Sequence, residues 1–151
     1  MARERMEDDV ADDANREELL PALNELLEAE RAGAQVTIAS ARDVDDPALK
    51  ALIMDVHRDE ARWCGVLLAA IARLDGEPSQ KTGDFYERSM AIDDMTARLA
   101  FLNRGQGWVV RKLKALLPSI GDARTHTDLV EMLASHETNI GLVAERLPPT
   151  T

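Results

Sequence analysis

The sequence predicts an all-α fold, an antiparallel bundle of four helices, and three observations carry that expectation. Leu and Ala lead the apolar set of a 151-residue chain that is 45% hydrophobic but only 3% aromatic, a composition that favours helix over sheet. Apolar residues recur at helical spacing along four long segments. Between those segments stand Asp-Pro, Gly-x-Pro and Pro-Pro punctuation that ends one helix or opens the next. No strand is expected. The length suits one domain that buries its core without disulfides or a structural metal.

The elements follow in order. Residues 1–15 hold six acids (Glu4, Glu7, Asp8, Asp9, Asp12, Asp13) against Arg3 and Arg5, with little to bury, so a disordered acidic tail is expected there. The bundle then spans residues 16–147, and 148–151 form a C-terminal tail. The first helix opens between Asn15 and Pro21, because proline is tolerated in a first turn, and reaches about Ala41. Asp45-Asp46-Pro47 supplies an N-cap and a proline suited to the first helical position of the second, which ends near Leu74 where Gly76 and Pro78 follow. Residues 76–83 read as a polar loop, and Asp84 can cap a third helix that Pro118 stops after Leu117. Gly105 and Gly107 flank Gln106 in it, each costing up to about 1 kcal/mol, and mark close packing or a kink. Asp122, Thr125 or Thr127 caps the fourth helix, which runs to about Arg146 before Pro148-Pro149. The 76–83 loop either turns or crosses over. A crossover along a bundle about 40 Å long needs at least about 12 extended residues, so it would require irregular backbone over 82–91.

Stepping 100° per residue gives the inward faces. They are Leu19, Leu23, Leu26, Leu27, Glu30, Ala34 and Thr37 on the first helix, and Leu49, Ile53, Val56, Glu60, Trp63, Leu67 and Ile71 on the second. The third turns Ile92, Met95, Leu99, Leu102, Gln106, Val110, Leu113 and Leu117 inward, and the fourth Leu129, Leu133, His136, Ile140, Val143 and Leu147. Each face is apolar except for one polar residue near its middle, and thirty residues separate both Glu30 from Glu60 and Gln106 from His136. Burying ionisable groups costs several kcal/mol unless they are paired or bind metal, so four such residues converging in one core require a ligand or one another.

Charge and hydropathy exclude other classes. With 28 acidic and 18 basic residues the net charge is −10, which disfavours nucleic acid and anionic lipid as partners. The longest apolar runs, such as Val66–Ile71, are too short to cross a bilayer, and Met1–Asp13 is charged rather than signal-like, so a cytoplasmic protein with no membrane partner is expected. A homodimer is the expected assembly. Cys64 is the one cysteine, read as a residue at the margin of the core.

Four long helices, each with one inward polar residue near its middle, resemble the ferritin-like superfamily of rubrerythrins, bacterioferritins and related carboxylate-bridged dimetal proteins. The resemblance covers roughly Glu17 to Leu147. Its pattern is a Glu on the first and third helices and Glu-x-x-His on the second and fourth. Glu30 and Glu60 match it; Trp63 stands in place of the second-helix His, Gln106 or Asn103 in place of the third-helix Glu, and His136-x-x-Asn139 in place of the fourth-helix motif. The stretches Leu-Leu-Glu-Ala-Glu-Arg-Ala-Gly (26–33), Asp-Glu-Ala-Arg-Trp (59–63) and Leu-Asn-Arg-Gly-Gln-Gly-Trp (102–108) look like a bacterial ferritin-like family of unestablished function. The resemblance implies a metal set of Glu30, Glu60 and His136, with Gln106 as a weak fourth ligand and Asn139 within reach. Two carboxylates balance one divalent ion rather than two, and the Trp63 indole has a donor but no lone pair to give. At most one Fe, Mn or Zn ion is therefore expected, with a redox or peroxide-related role by family analogy.

A second reading stays open: a non-catalytic helical module without metal, in which His136 is protonated between the carboxylates and Gln106 donates to one of them. The remaining candidates read as structure. His57 falls at the margin of its stripe and His126 near a cap, Phe85, Tyr86 and Trp108 are packing residues, and Arg104, Arg111, Lys112 and Lys114 form a solvated face.

Overall fold

The computed structural model describes the backbone of residues 2–148 and the side chains of residues 15–148. Its helices are α1 (Ala2–Arg42), α2 (Pro47–Arg73), α3 (Phe85–Met90), α4 (Met95–Leu116) and α5 (Ala123–Ala144), with a 3₁₀ turn over Leu117–Ser119. Among the described residues there is no strand. The side chains of the acidic tail expected over 1–15 lie, apart from Asn15, outside the described residues, as does the C-terminal tail beyond Pro148. α1 runs through Pro21, which is exposed, so the backbone hydrogen bond that proline deletes is lost on the solvent side of the helix.

Four helices follow an aspartate, and three of these aspartates cap with the side chain, whereas Asp84 before α3 makes no such bond. Asp46, Asp94 and Asp122 each sit in extended backbone and accept from the amide three residues on, at Leu49, Ala97 and Thr125. The sequence reading differs from the structure at two helix starts: α1 is helical from Ala2 rather than opening between Asn15 and Pro21 after a disordered tail, and Asp94 opens a helix of its own. The single third helix expected from Asp84 to Leu117 is two helices, because the Ala91–Asp94 segment breaks the run and Asp94 opens a new N-terminus.

The chain crosses over after α2. Residues 75–94, including α3, climb along α1 on successive polar rungs: Arg16 Nε donates to Leu74 O, Asn24 brackets Glu77 O and Ser79 N, and Arg31 donates to Lys81 O. The climb ends where Arg98, at the start of α4, donates to Ser40 Oγ near the end of α1. α4 therefore runs parallel to α2, and the topology is up, down, down, up. Each main-helix pair in contact (α1 with α2, α4 with α5, α1 with α4, α2 with α5) is antiparallel. The turn of helix within the crossover shortens its reach, which is why it takes some twenty residues rather than the eight of a loop.

The buried residues follow a 3–4 seam: Ile53, Val56, Glu60, Trp63, Leu67 and Ala70 on α2, Leu99, Leu102, Gln106, Val109 and Leu113 on α4, and Leu129, Met132, His136, Asn139 and Val143 on α5. A straight 3.6-residue projection drifts by about 20° per heptad against such a seam. That drift explains why Val110, Leu133 and Ile140, placed inward from sequence, are half-buried, and why Val109 and Met132 take their places. The core has two apolar layers. One joins Leu23, Leu26, Leu27, Trp63, Leu67, Leu113 and Leu129, and the other joins Val36, Ile53, Val56, Leu99, Leu102 and Val143. On every long helix the polar residue falls between the two layers.

Candidate metal centre

Glu30, Glu60 and His136 converge from α1, α2 and α5, each offering a ligand atom, and those atoms all lie within 4.8 Å of one another. Among the described residues this is the one cluster of three such side chains. Glu30 has no solvent exposure at all, and His136 and Glu60 are buried. Leu26 and Leu27 precede Glu30, Val56 and Trp63 flank Glu60, and Met132 sits one turn before His136, so the apolar layers that drive helix packing also carry the three groups out of water.

The imidazole is oriented by its far side. His136 Nδ1 donates to Met132 O at 2.9 Å, which turns Nε2 toward Glu30 Oε1 at 2.6 Å. The pair is not aligned as a hydrogen bond, and Nε2 and both oxygens of Glu30 are left without one. Buried polar atoms without partners are rare, and a histidine that donates one ring N–H to a carbonyl while aiming its other nitrogen at carboxylates is the arrangement metal ligation uses. Gln106 joins them as a second orphan: it is 3% exposed and neither of its amide atoms has a partner. Electrostatics agrees with a crowded, dry site. Burial pushes the Glu30 carboxyl above its usual range, against the pull of His136. Burial works against the His136 cation too, but the close approach of the Glu30 carboxylate, with the Met132 carbonyl, outweighs it and holds the imidazole proton more tightly than usual.

Gly33 makes room for Glu60. A Cβ there would lie 3.0 Å from Glu60 Cδ and Oε2. The sequence reading did not single Gly33 out, although a glycine inside a helix costs about 1 kcal/mol against alanine and so signals a close approach. Gly105 was singled out, and a Cβ there would meet the Phe85 ring at 2.8 Å; Gly107 has only Arg111 at 3.4 Å and packs against nothing closely.

The other expected ligands divide. Gln106 lines the same cavity as Glu60 and Gly33. Asn139 turns elsewhere, its Nδ2 donating to Asp59 Oδ2 at 3.0 Å. Ser135 Oγ reaches the same carboxylate oxygen at 3.5 Å and accepts from Trp63 Nε1 at 3.3 Å, so Trp63, Ser135, Asp59 and Asn139 form a polar chain between α2 and α5. Asp59 was not foreseen, since it falls beside the inward stripe. His57 Nδ1 donates to Ala34 O at 2.8 Å, tying α2 to α1 one turn from Glu60.

The family described as "Domain of unknown function (DUF6306)" matches residues 17–145, which takes in α1 from Glu17 onward, the whole of α2, α4 and α5, and every residue of the site. The chain belongs to this family. No curated protein matches it. This DUF6306 chain is similar to a solved ferritin-like, diiron-carboxylate protein from Bacillus anthracis at 18% identity and a TM-score of 0.78, over 89% of this chain and 98% of that one. It is similar also to a protein from Xanthomonas campestris pv. campestris at 15% identity and 0.77, over 87% and 89% of the two chains. At such identities the likeness establishes the fold, a ferritin-like antiparallel four-helix bundle. No helix among the described residues is long and apolar enough to cross a membrane.

Proposed function

We propose that the chain binds one divalent metal ion between its two apolar layers, held by Glu30, Glu60 and His136 with the Gln106 amide oxygen as a fourth donor. The observation that carries this reading is the set of orphaned atoms: both oxygens of Glu30, Nε2 of His136 and the Gln106 amide are buried without hydrogen bonds, inside a fold shared with a diiron-carboxylate protein. The donor set fits one ion. Two carboxylates neutralise one divalent charge, and an imidazole with carboxylates suits Fe(II), Mn(II) or Zn(II). An ion there supplies Lewis acidity, and iron or manganese adds one-electron chemistry, so a redox or peroxide-related activity is the function to test. The chain's own part is to exclude water, to fix the imidazole through Met132 O, and to keep the space for Glu60 open at Gly33.

The second reading is favoured by the 2.6 Å approach of His136 to Glu30, which suits a buried imidazolium–carboxylate pair in a structural core without metal. Metal content decides between them. Protein purified without a His-tag and reconstituted anaerobically with Fe(II), Mn(II) or Zn(II) should hold about one equivalent, lost in Glu60→Ala. No metal in either protein, together with a Glu60→Leu variant as stable as the parent or more so, would leave the structural pair as the answer.

A further inference from the structure

Beside the metal centre lies a cavity of about 510 Å³ between α1, the crossover and α4. Its lining runs from exposed Arg88 and Arg104 to buried Glu60 and Gln106. Between these ends the walls are apolar, with Phe85 and Phe101 stacked at a centroid distance of 5.1 Å on one side. The size falls within the range of small-molecule sites, and so does the pattern of apolar walls with a few convergent polar groups.

Two features of the lining suit a ligand. Gln106 brings an amide that is 3% exposed, with a free donor and a free acceptor, to the inner end. At the outer end the guanidinium carbons of Arg88 and Arg104 stand 5.3 and 5.5 Å from the Phe101 centroid, and neither arginine forms an ion pair or side-chain hydrogen bond among the described residues, in a chain of net charge −10. The acids nearest in the lining do not answer them. Glu25 and Glu28 line the cavity from α1, Glu25 is paired with Lys112, and Asp84 is exposed before α3; none of the three is paired with either arginine.

We propose that this cavity binds a small carboxylic acid with an apolar body: Arg88 and Arg104 hold the carboxylate, and the body lies against Phe85 and Phe101 and points toward Gln106. Guanidinium forks suit carboxylate geometry, and the stacked rings supply an apolar face beside the cations. The proposal shares Gln106 with the metal reading, in which its amide oxygen is the fourth donor; its other binding groups, Arg88, Arg104, Phe85 and Phe101, are separate from Glu30, Glu60 and His136.

The test is calorimetric titration of 4-phenylbutyrate, 4-phenylbutan-1-ol and 4-phenylbutylamine into the full chain, after EDTA treatment and again after Zn(II) loading. Saturable binding of the carboxylate to the EDTA-treated protein is expected, with the alcohol at least about tenfold weaker and the amine silent. Arg88→Gln with Arg104→Gln should weaken the carboxylate about tenfold or more without moving the melting temperature. Ala29→Trp, which builds bulk into the cavity from α1, should abolish binding. No saturable binding, equal binding of the alcohol or amine, or indifference to the arginine substitutions would overturn the proposal. Its failure and that of the metal reading are distinguishable, because carboxylate binding is read on metal-free protein and metal content without the carboxylate.

Discussion

His136 Nε2 stands 2.6 Å from Glu30 Oε1, out of line for a hydrogen bond, while its Nδ1 is tied to Met132 O. Both groups hold a proton more tightly folded than unfolded. For Glu30 the folded pKa is above 4.5, so the native state binds the extra proton and stability falls as pH rises through the folded value. For His136 the contribution is complete below 6.5 and is lost as pH rises through its folded value. The signs agree. Metal-free protein should melt highest at mildly acid pH and progressively lower toward alkaline pH, in a series of thermal melts with EDTA. Metal competes with those protons, so its stabilising effect should grow over the same range.

Gly33→Ala separates the site from the scaffold. Alanine is the better helix former by about 1 kcal/mol, and the atoms its Cβ would crowd belong to the end of the Glu60 side chain. The expected result is a melting temperature within a few degrees of the parent and a metal affinity lower by about tenfold, as a displaced ligand costs. An equilibrium titration with a competing chelator measures it.

How much of this could be read from the sequence depended on periodicity. Glu30, Glu60 and His136 were readable because a lone ionisable residue inside an apolar stripe has nowhere to go but inward, and helix spacing fixes which face that is. Gly33 and Asp59 were not, since each acts through a partner on another helix that no single-helix projection contains. Asn139 follows His136 by one turn, which suggests a ligand from sequence, but its amide goes to Asp59. The break before Asp94 was hidden by a continuous apolar pattern, although Asp94 is the same kind of N-cap as Asp46.

The Cys64 thiol offers an independent probe of Glu30. Burial, then the Glu30 charge, pushes it up to about 11, with Arg31 pulling the other way. At pH 8 alkylation by iodoacetamide should be slower than for a free thiol by roughly two orders of magnitude, following the thiolate fraction. Glu30→Gln should speed it by removing that negative charge, and a metal bound as proposed should speed it by neutralising the charge.

Asp94→Ala should lower stability by about 1 kcal/mol in a denaturant titration, through loss of the bond to Ala97 N. Asp122 holds more, taking both the amide and the hydroxyl of Thr125, and these bonds keep its carboxyl below the usual range. Its contribution is therefore present above the unfolded pKa and lost as pH falls through the lowered one, and Asp122→Ala should flatten that acid limb.

The rungs along α1 also impose an order of assembly. Each joins residues 50 to 59 positions apart, whereas each helical hairpin closes through a short turn. Loop closure over the longer span is the slower event, so the two hairpins are expected to form first and the strap to zip along α1 afterwards. Glu30 and Glu60 belong to one hairpin and Gln106 and His136 to the other. Half a centre therefore exists in each early intermediate. On the proposed metal reading, metal capture in stopped-flow refolding should lag helix formation, with metal acting as a late lock on a bundle that has already chosen its partners.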